Sequence, residues 1–68
     1  MKNRIKILRA ERNWSQAELA ARVGVSRNSI NAVENGKFVP SLTLAFAIAI
    51  EFGLRIEDVF DPEVSGGG

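Results

Sequence analysis

The side chains in this 68-residue sequence with the means to do chemistry are amides, hydroxyls and guanidinium groups rather than acid–base catalysts or metal ligands. Gln16, Ser26, Arg27, Asn28, Asn31, Asn35 and Lys37 all lie in one segment, residues 16–37. A guanidinium offers a rigid fork of N–H donors, and a carboxamide sets a donor beside an acceptor in one plane. Their chemistry is hydrogen-bonded recognition, not bond breaking. The sequence has no histidine and no cysteine. Imidazole catalysis, a thiol nucleophile, disulfides and any His or Cys metal site are therefore excluded. Glu57, Asp58, Asp61 and Glu63 crowd together in the sequence and read as a solvated acidic end. No glycine-rich phosphate loop precedes a helix. No enzyme, cofactor or metal is expected.

The net charge of +1 conceals an asymmetry: residues 1–37 hold eight cations against three carboxylates (+5), and residues 38–68 hold one against five (−4). A basic front half suits a polyanion; an unevenly charged, solvated surface is the competing reading. With 46% apolar and 25% charged residues the composition is that of a globular domain. A chain this short buries only about 60% of its unfolded surface, so packed helices, aided by oligomerisation, must stabilise it. No long uncharged apolar run and no basic-then-apolar leader occurs, so neither a membrane span nor a signal peptide is expected. A cytoplasmic setting is the default expectation.

Helical spacing recurs along the chain, and no stretch alternates long enough to argue for a strand. Ile5 and Leu8 mark a first helix over residues 3–12. Ser15 and Glu18 form a capping box for the second, with Trp14 and Leu19 placed as a hydrophobic staple. Leu19, Ala20 and Val23 supply its buried stripe, and Gly24 stops it in a left-handed turn. Ser26 caps a third helix that runs to Glu34, buries Ile30 and Val33, and ends at Asn35-Gly36. After a loop closed by Pro40, Ser41 caps a fourth helix through Phe52, stopped by Gly53. A short last helix over residues 56–60 starts at Arg55, a poor N-cap that predicts fraying, and ends at Asp61-Pro62. Residues 1–62 are expected to form one all-α, five-helix domain. Residues 63–68, with Ser65-Gly66-Gly67-Gly68, read as a disordered tail or a linker.

The second and third helices are joined by so short a turn that they must cross steeply, as in a helix-turn-helix. That geometry needs a small residue at the close approach, a residue tolerant of positive φ in the turn, and apolar anchors on the inner faces. Ala20, Gly24 and the set Leu19, Val23, Val25, Ile30 and Val33 meet these demands. A generic helical hairpin explains only part of this pattern. Ser15-Gln16-Ala17-Glu18-Leu19-Ala20, Val23-Gly24-Val25-Ser26-Arg27, Ile30, Glu34-Asn35-Gly36-Lys37 and Pro40-Ser41-Leu42 resemble the phage repressor/Cro-type helix-turn-helix family across residues 3–61. The resemblance implies a lambda-repressor-like fold. It also implies a small transcriptional regulator, most simply a repressor, of the bacterial or archaeal cytoplasm and nucleoid, binding double-stranded DNA with its third helix in the major groove.

On that resemblance Ser26, Arg27, Asn28, Asn31 and Ala32 sit on the groove side, opposite Ile30 and Val33. Arg27 can grip guanine O6 and N7, Asn28 can pair both ways with adenine, Asn31 is a base or phosphate contact, and Ala32 offers a touch to a thymine methyl. A solvated helix start is the alternative for Arg27 and Asn28. Gln16 opens the second helix, where the dipole favours a phosphate, and Ser26, Asn35 and Lys37 join it as backbone contacts. Arg9 and Glu34 match a family ion pair and read as structural; Lys2, Arg4, Lys6, Arg12 and Arg22 add long-range attraction or solvation.

The fourth helix departs from the usual pattern. Leu44, Ala45, Ile48, Ala49 and Phe52 make a core stripe, yet Thr43, Phe46, Ala47 and Ile50 repeat at i, i+3, i+4 and i+7 on the other side. A helix apolar all round is buried on both sides. The expected cover is a second copy, giving a homodimer through Thr43, Phe46, Ala47, Ile50 and Leu54, with help from Ile56 and Phe60, on a near-palindromic operator. The alternatives are that Phe46 and Ile50 fold under Phe38 and Val39, or that a partner protein docks there and the chain is an interaction module, an antitoxin or a bridging factor.

Overall fold

A computed structural model describes residues 2–61; the expected tail at 63–68 lies outside the described residues, as do Met1 and Pro62. Its elements run β1 (Lys2–Asn3), α1 (Ile5–Arg12), α2 (Gln16–Val23), α3 (Arg27–Glu34), α4 (Leu42–Phe52), α5 (Ile56–Val59) and β2 (Phe60–Asp61). The five helices are those expected, with two differences at the ends. Residue 3 lies in a strand, not a helix: β1 pairs antiparallel with β2, Lys2 opposite Asp61 and Asn3 opposite Phe60. Phe60 accordingly leaves α5. A two-residue ladder is too short to show any apolar alternation, so periodicity misses it.

Serine starts three of the helices and glycine stops two, each by a local interaction. The Oγ atoms of Ser15, Ser26 and Ser41 accept from the backbone N–H of Glu18, Ser29 and Leu44. Each bond satisfies one of the four donors that a helix start leaves without intrahelical partners. Among the described residues the reciprocal half of the capping box is not formed; the Glu18 carboxylate accepts from Arg22 Nε at 2.9 Å. Gly24 (φ +77°) and Gly53 (φ +72°) end α2 and α4 in the left-handed region. A Cβ at Gly24 would meet nothing within 4 Å, so the strain of Gly24→Ala is conformational alone. That substitution is expected to cost about 1–2 kcal/mol, read as a lowered urea midpoint with an unchanged m-value. Arg55 at the start of α5 makes no side-chain cap and only a 3.4 Å contact with Asp58, as its side chain dictates.

The core forms where the helices converge: Ile5 and Leu8 of α1, Leu19 and Ala20 of α2, Ile30 and Val33 of α3, Ala45, Ile48, Ala49 and Phe52 of α4, Val59 of α5, and Phe60. Val23, Val25 and Leu44 pack against it half-buried. Phe60, expected at an intermolecular surface, is buried in this core, and Ile56 packs against it; the ladder turns Phe60 inward. Asn3 ties the ladder to α3, its Oδ1 accepting from Ile5 N (3.1 Å) and its Nδ2 donating to Val33 O (3.0 Å).

Candidate nucleic-acid interface

The turn between α2 and α3 is closed by the backbone. The N–H groups of Gly24 and Val25 both donate to Ala20 O, and Ser26 then opens α3. With Ile30 and Val33 in the core, the 3.6-residue period leaves positions 28 and 31 on the outer face, with 27 at its edge in the first turn. Arg27, Asn28 and Asn31 are exposed there, and Ala32 is half-buried beside them. Arg27 and Asn28 make no hydrogen bond or ion pair among the described residues. Ser26 is exposed, but its hydroxyl is engaged as the cap and lies 3.0 Å from Ser29 Oγ. After α3 the chain folds back, with Lys37 N and Phe38 N both donating to Ala32 O at 3.0 and 3.2 Å. This holds Asn35 and Lys37 exposed at the end of the same helix.

Behind this face stands a polar network. Arg9 donates through Nε to Glu34 Oε2 (2.6 Å) and through Nη2 to Oε1 (3.1 Å), while its Nη1 donates to Trp14 O (2.8 Å). The side chains are 14% and 4% exposed, so the pair anticipated from the family likeness is a largely buried, bidentate one. The hydrogen bond to Glu34 raises the Arg9 pKa above its ordinary value, against a smaller opposing effect of burial. Gln16 Nε2 also donates to Glu34 Oε1 (3.2 Å), Asn31 Nδ2 donates to Gln16 Oε1 (3.4 Å), and Asn35 Nδ2 donates to Asn31 Oδ1 (3.2 Å). Gln16, Asn31 and Asn35, singled out separately in the sequence, are thus one connected set, and Arg27, Asn28 and Lys37 stand apart from it. At the start of α2, the backbone N–H groups of Gln16 and Ala17 make no hydrogen bond among the described residues.

Sequence reasoning missed a second cluster. Trp14 stacks on Phe52 with ring centroids 5.4 Å apart, the Arg22 guanidinium lies 4.1 Å from the Trp14 ring, and that of Arg12 lies 4.9 Å from the Phe52 ring. Arg12 also donates to Phe52 O (2.6 Å), and Arg22 bridges Glu18 and Glu51. These two arginines, grouped in the sequence with solvating or steering charges, are structural cations that pin α1 and α2 onto the end of α4. The signal available was Trp14 flanked by arginines at positions 12 and 22, but only the chain fold brings Phe52 to it.

On the side of α4 away from the core, Leu42 (68% exposed), Phe46 (46%) and Ile50 (73%) line up at i, i+4 and i+8. Thr43 and Leu54 are exposed beside them and Ala47 is half-buried. Phe38 and Val39 are themselves exposed and do not bury Phe46 or Ile50. No described helix is long and apolar enough to cross a membrane, and the described residues hold no cluster able to bind a metal ion.

Comparison with known proteins agrees with this geometry. A helix-turn-helix family profile matches residues 5–59. An uncharacterised HTH-type transcriptional regulator of Methanocaldococcus jannaschii is 55% identical over 60 residues, which cover 88% of this chain and 91% of that protein. The immunity repressor of Bacillus phage phi105 is 32% identical over 88% of this chain, which spans 42% of that longer protein. The fold superposes with a TM-score of 0.71 on SinR, a master regulator for biofilm formation solved in complex with DNA, at 27% identity over 79% of this chain and 87% of that one. By sequence and by fold, the chain belongs to the phage-repressor-type helix-turn-helix family of transcriptional regulators.

Proposed function

We propose that this regulator is a repressor of the bacterial or archaeal cytoplasm and nucleoid that reads double-stranded DNA by laying α3 in the major groove, as a homodimer on a near-palindromic operator. The observation that carries the reading is the first turn of α3. Arg27 and Asn28 stand exposed and unengaged among the described residues, on a helix whose opposite face is locked in the core by Ile30 and Val33. Arg27 is assigned to a guanine edge and Asn28 to an adenine edge, Asn31 to an adjoining base, and Ala32 to an apolar contact. Gln16, Ser26, Asn35 and Lys37 are assigned to the phosphates. For Gln16 the unbonded backbone N–H groups at the start of α2, with the second Nε2 hydrogen of its side chain, are the donors assigned to a phosphate. Dimerisation is assigned to Thr43, Phe46, Ala47, Ile50 and Leu54. The same uncovered face supports the second reading, an interaction module in which a partner protein occupies α4.

Selection of bound duplexes from a random DNA pool, repeated at low and moderate salt, separates the two. Enrichment of a two-fold-symmetric site whose affinity falls steeply with salt is the expected result. Arg27→Ala is then expected to relax one position per half-site by about 1–3 kcal/mol of discrimination, measured as the affinity ratio between preferred and substituted duplexes. Weak, salt-sensitive binding without enrichment overturns the DNA-reading proposal and leaves the α4 face as the functional surface.

A further inference from the structure

The hydrogen-bond chain from Arg9 to Asn35 carries a direction as well as a connection. The Glu34 carboxylate accepts both N–H groups of Arg9 and has nothing to donate, so Gln16 must meet it with its Nε2. The Gln16 Oε1 then faces the other way and accepts from Asn31 Nδ2. With its Nδ2 turned to Gln16, Asn31 turns its Oδ1 to Asn35, whose Nδ2 donates to it. A carboxamide flipped by 180° fills nearly the same space, so sterics alone do not select an orientation. Here one buried carboxylate orders three amides in a single sense.

We infer that Glu34 is a positioning residue for base discrimination: through Gln16 it fixes which end of the Asn31 carboxamide donates and which accepts on the exposed face of α3. Asn31 keeps a second Nδ2 hydrogen and a second Oδ1 lone pair for a base edge. Adenine needs a donor at N7 and an acceptor at N6, and an inverted amide offers each where the other is required. The inference rests on the DNA-reading proposal but adds to it. Glu34 is remote from the base and acts through two other side chains.

Gln16→Met interrupts the relay while leaving the Arg9–Glu34 pair intact, and Gln16→Ala serves as a second variant. In the absence of DNA, both are expected to shift the side-chain NH2 resonances of Asn31 and Asn35 while the α3 backbone resonances stay in place. In pool selection, the wild type is expected to prefer one base at the Asn31 position by about tenfold, and the Gln16 variants to lose that preference. Preference at the Arg27 position is retained, and in an Asn31→Ala background the Gln16 substitution changes no preference further. Unmoved NH2 resonances overturn the relay. So does a uniform loss of affinity with the Asn31 preference intact, which makes Gln16 a phosphate contact alone. A wild type that selects no sequence overturns base discrimination together with the DNA-reading proposal, and shifted resonances then show that the relay exists without that use.

Discussion

Replacing Glu34 with alanine is expected to destabilise the fold by about 3–5 kcal/mol, because it strands the Arg9 guanidinium in a largely buried site. Three donors lose their acceptor at once: Arg9 Nε and Nη2, and Gln16 Nε2. A core in a chain of this size supplies roughly 3–5 kcal/mol of net stability, so the variant is expected to be largely unfolded at 37 °C. Urea unfolding followed by Trp14 fluorescence and by circular dichroism measures the loss. The double substitution Arg9→Met, Glu34→Leu separates the two causes of instability. Exchange of a buried ion pair for apolar side chains is often close to neutral, so most of the stability is expected to return. A residual deficit of about 1–3 kcal/mol is expected from Trp14 O, which loses the bond from Arg9 Nη1, and from Gln16 Nε2, which loses Glu34 Oε1. A double variant as unstable as Glu34→Ala would mean that the pair contributes by shape and not by charge.

The Glu34 case also shows where sequence reading reaches and where it stops. Ser15, Ser26, Ser41, Gly24 and Gly53 act within four residues of themselves, through a cap or a left-handed turn, so their roles are legible in the chain. The outward placement of Asn28 and Asn31 follows from the burial of Ile30 and Val33 by helical period, whereas Arg27, three residues before Ile30, is exposed because it opens α3. The link from Glu34 through Gln16 to Asn31 spans 18 and then 15 residues, and no local rule relates them. The Trp14–Phe52 stack needs α1, α2 and α4 assembled before it exists. Phe60 was misplaced at a surface for the same reason. Its burial depends on pairing with Asn3 at the far end of the described chain, which converts a residue after α5 into part of the core.

Ile50→Glu is expected to leave the fold intact and to lower operator affinity by about 10²–10⁴. Exposure decides the first part. Ile50 is 73% exposed and lies across α4 from Ile48, Ala49 and Phe52, so within one chain its substitution is expected to change stability by no more than about 0.5 kcal/mol. The second part follows from symmetry. Leu42, Phe46 and Ile50 form one apolar line along α4, and a two-fold interface built on it sets each such residue against the same patch of the other copy. A glutamate there is desolvated and repeated by the axis, which costs more than the lost apolar contact. Without the dimer each protomer holds a single half-site, and the gain from linking two binding events disappears. Sedimentation at one concentration is expected to show a dimer for the wild type and a monomer for the variant, and titration of full and half operators with the variant should converge on one affinity. A variant that remains dimeric would move the interface off α4. One that unfolds would make Ile50 a core residue, against its exposure, and would remove the surface on which the dimer is argued.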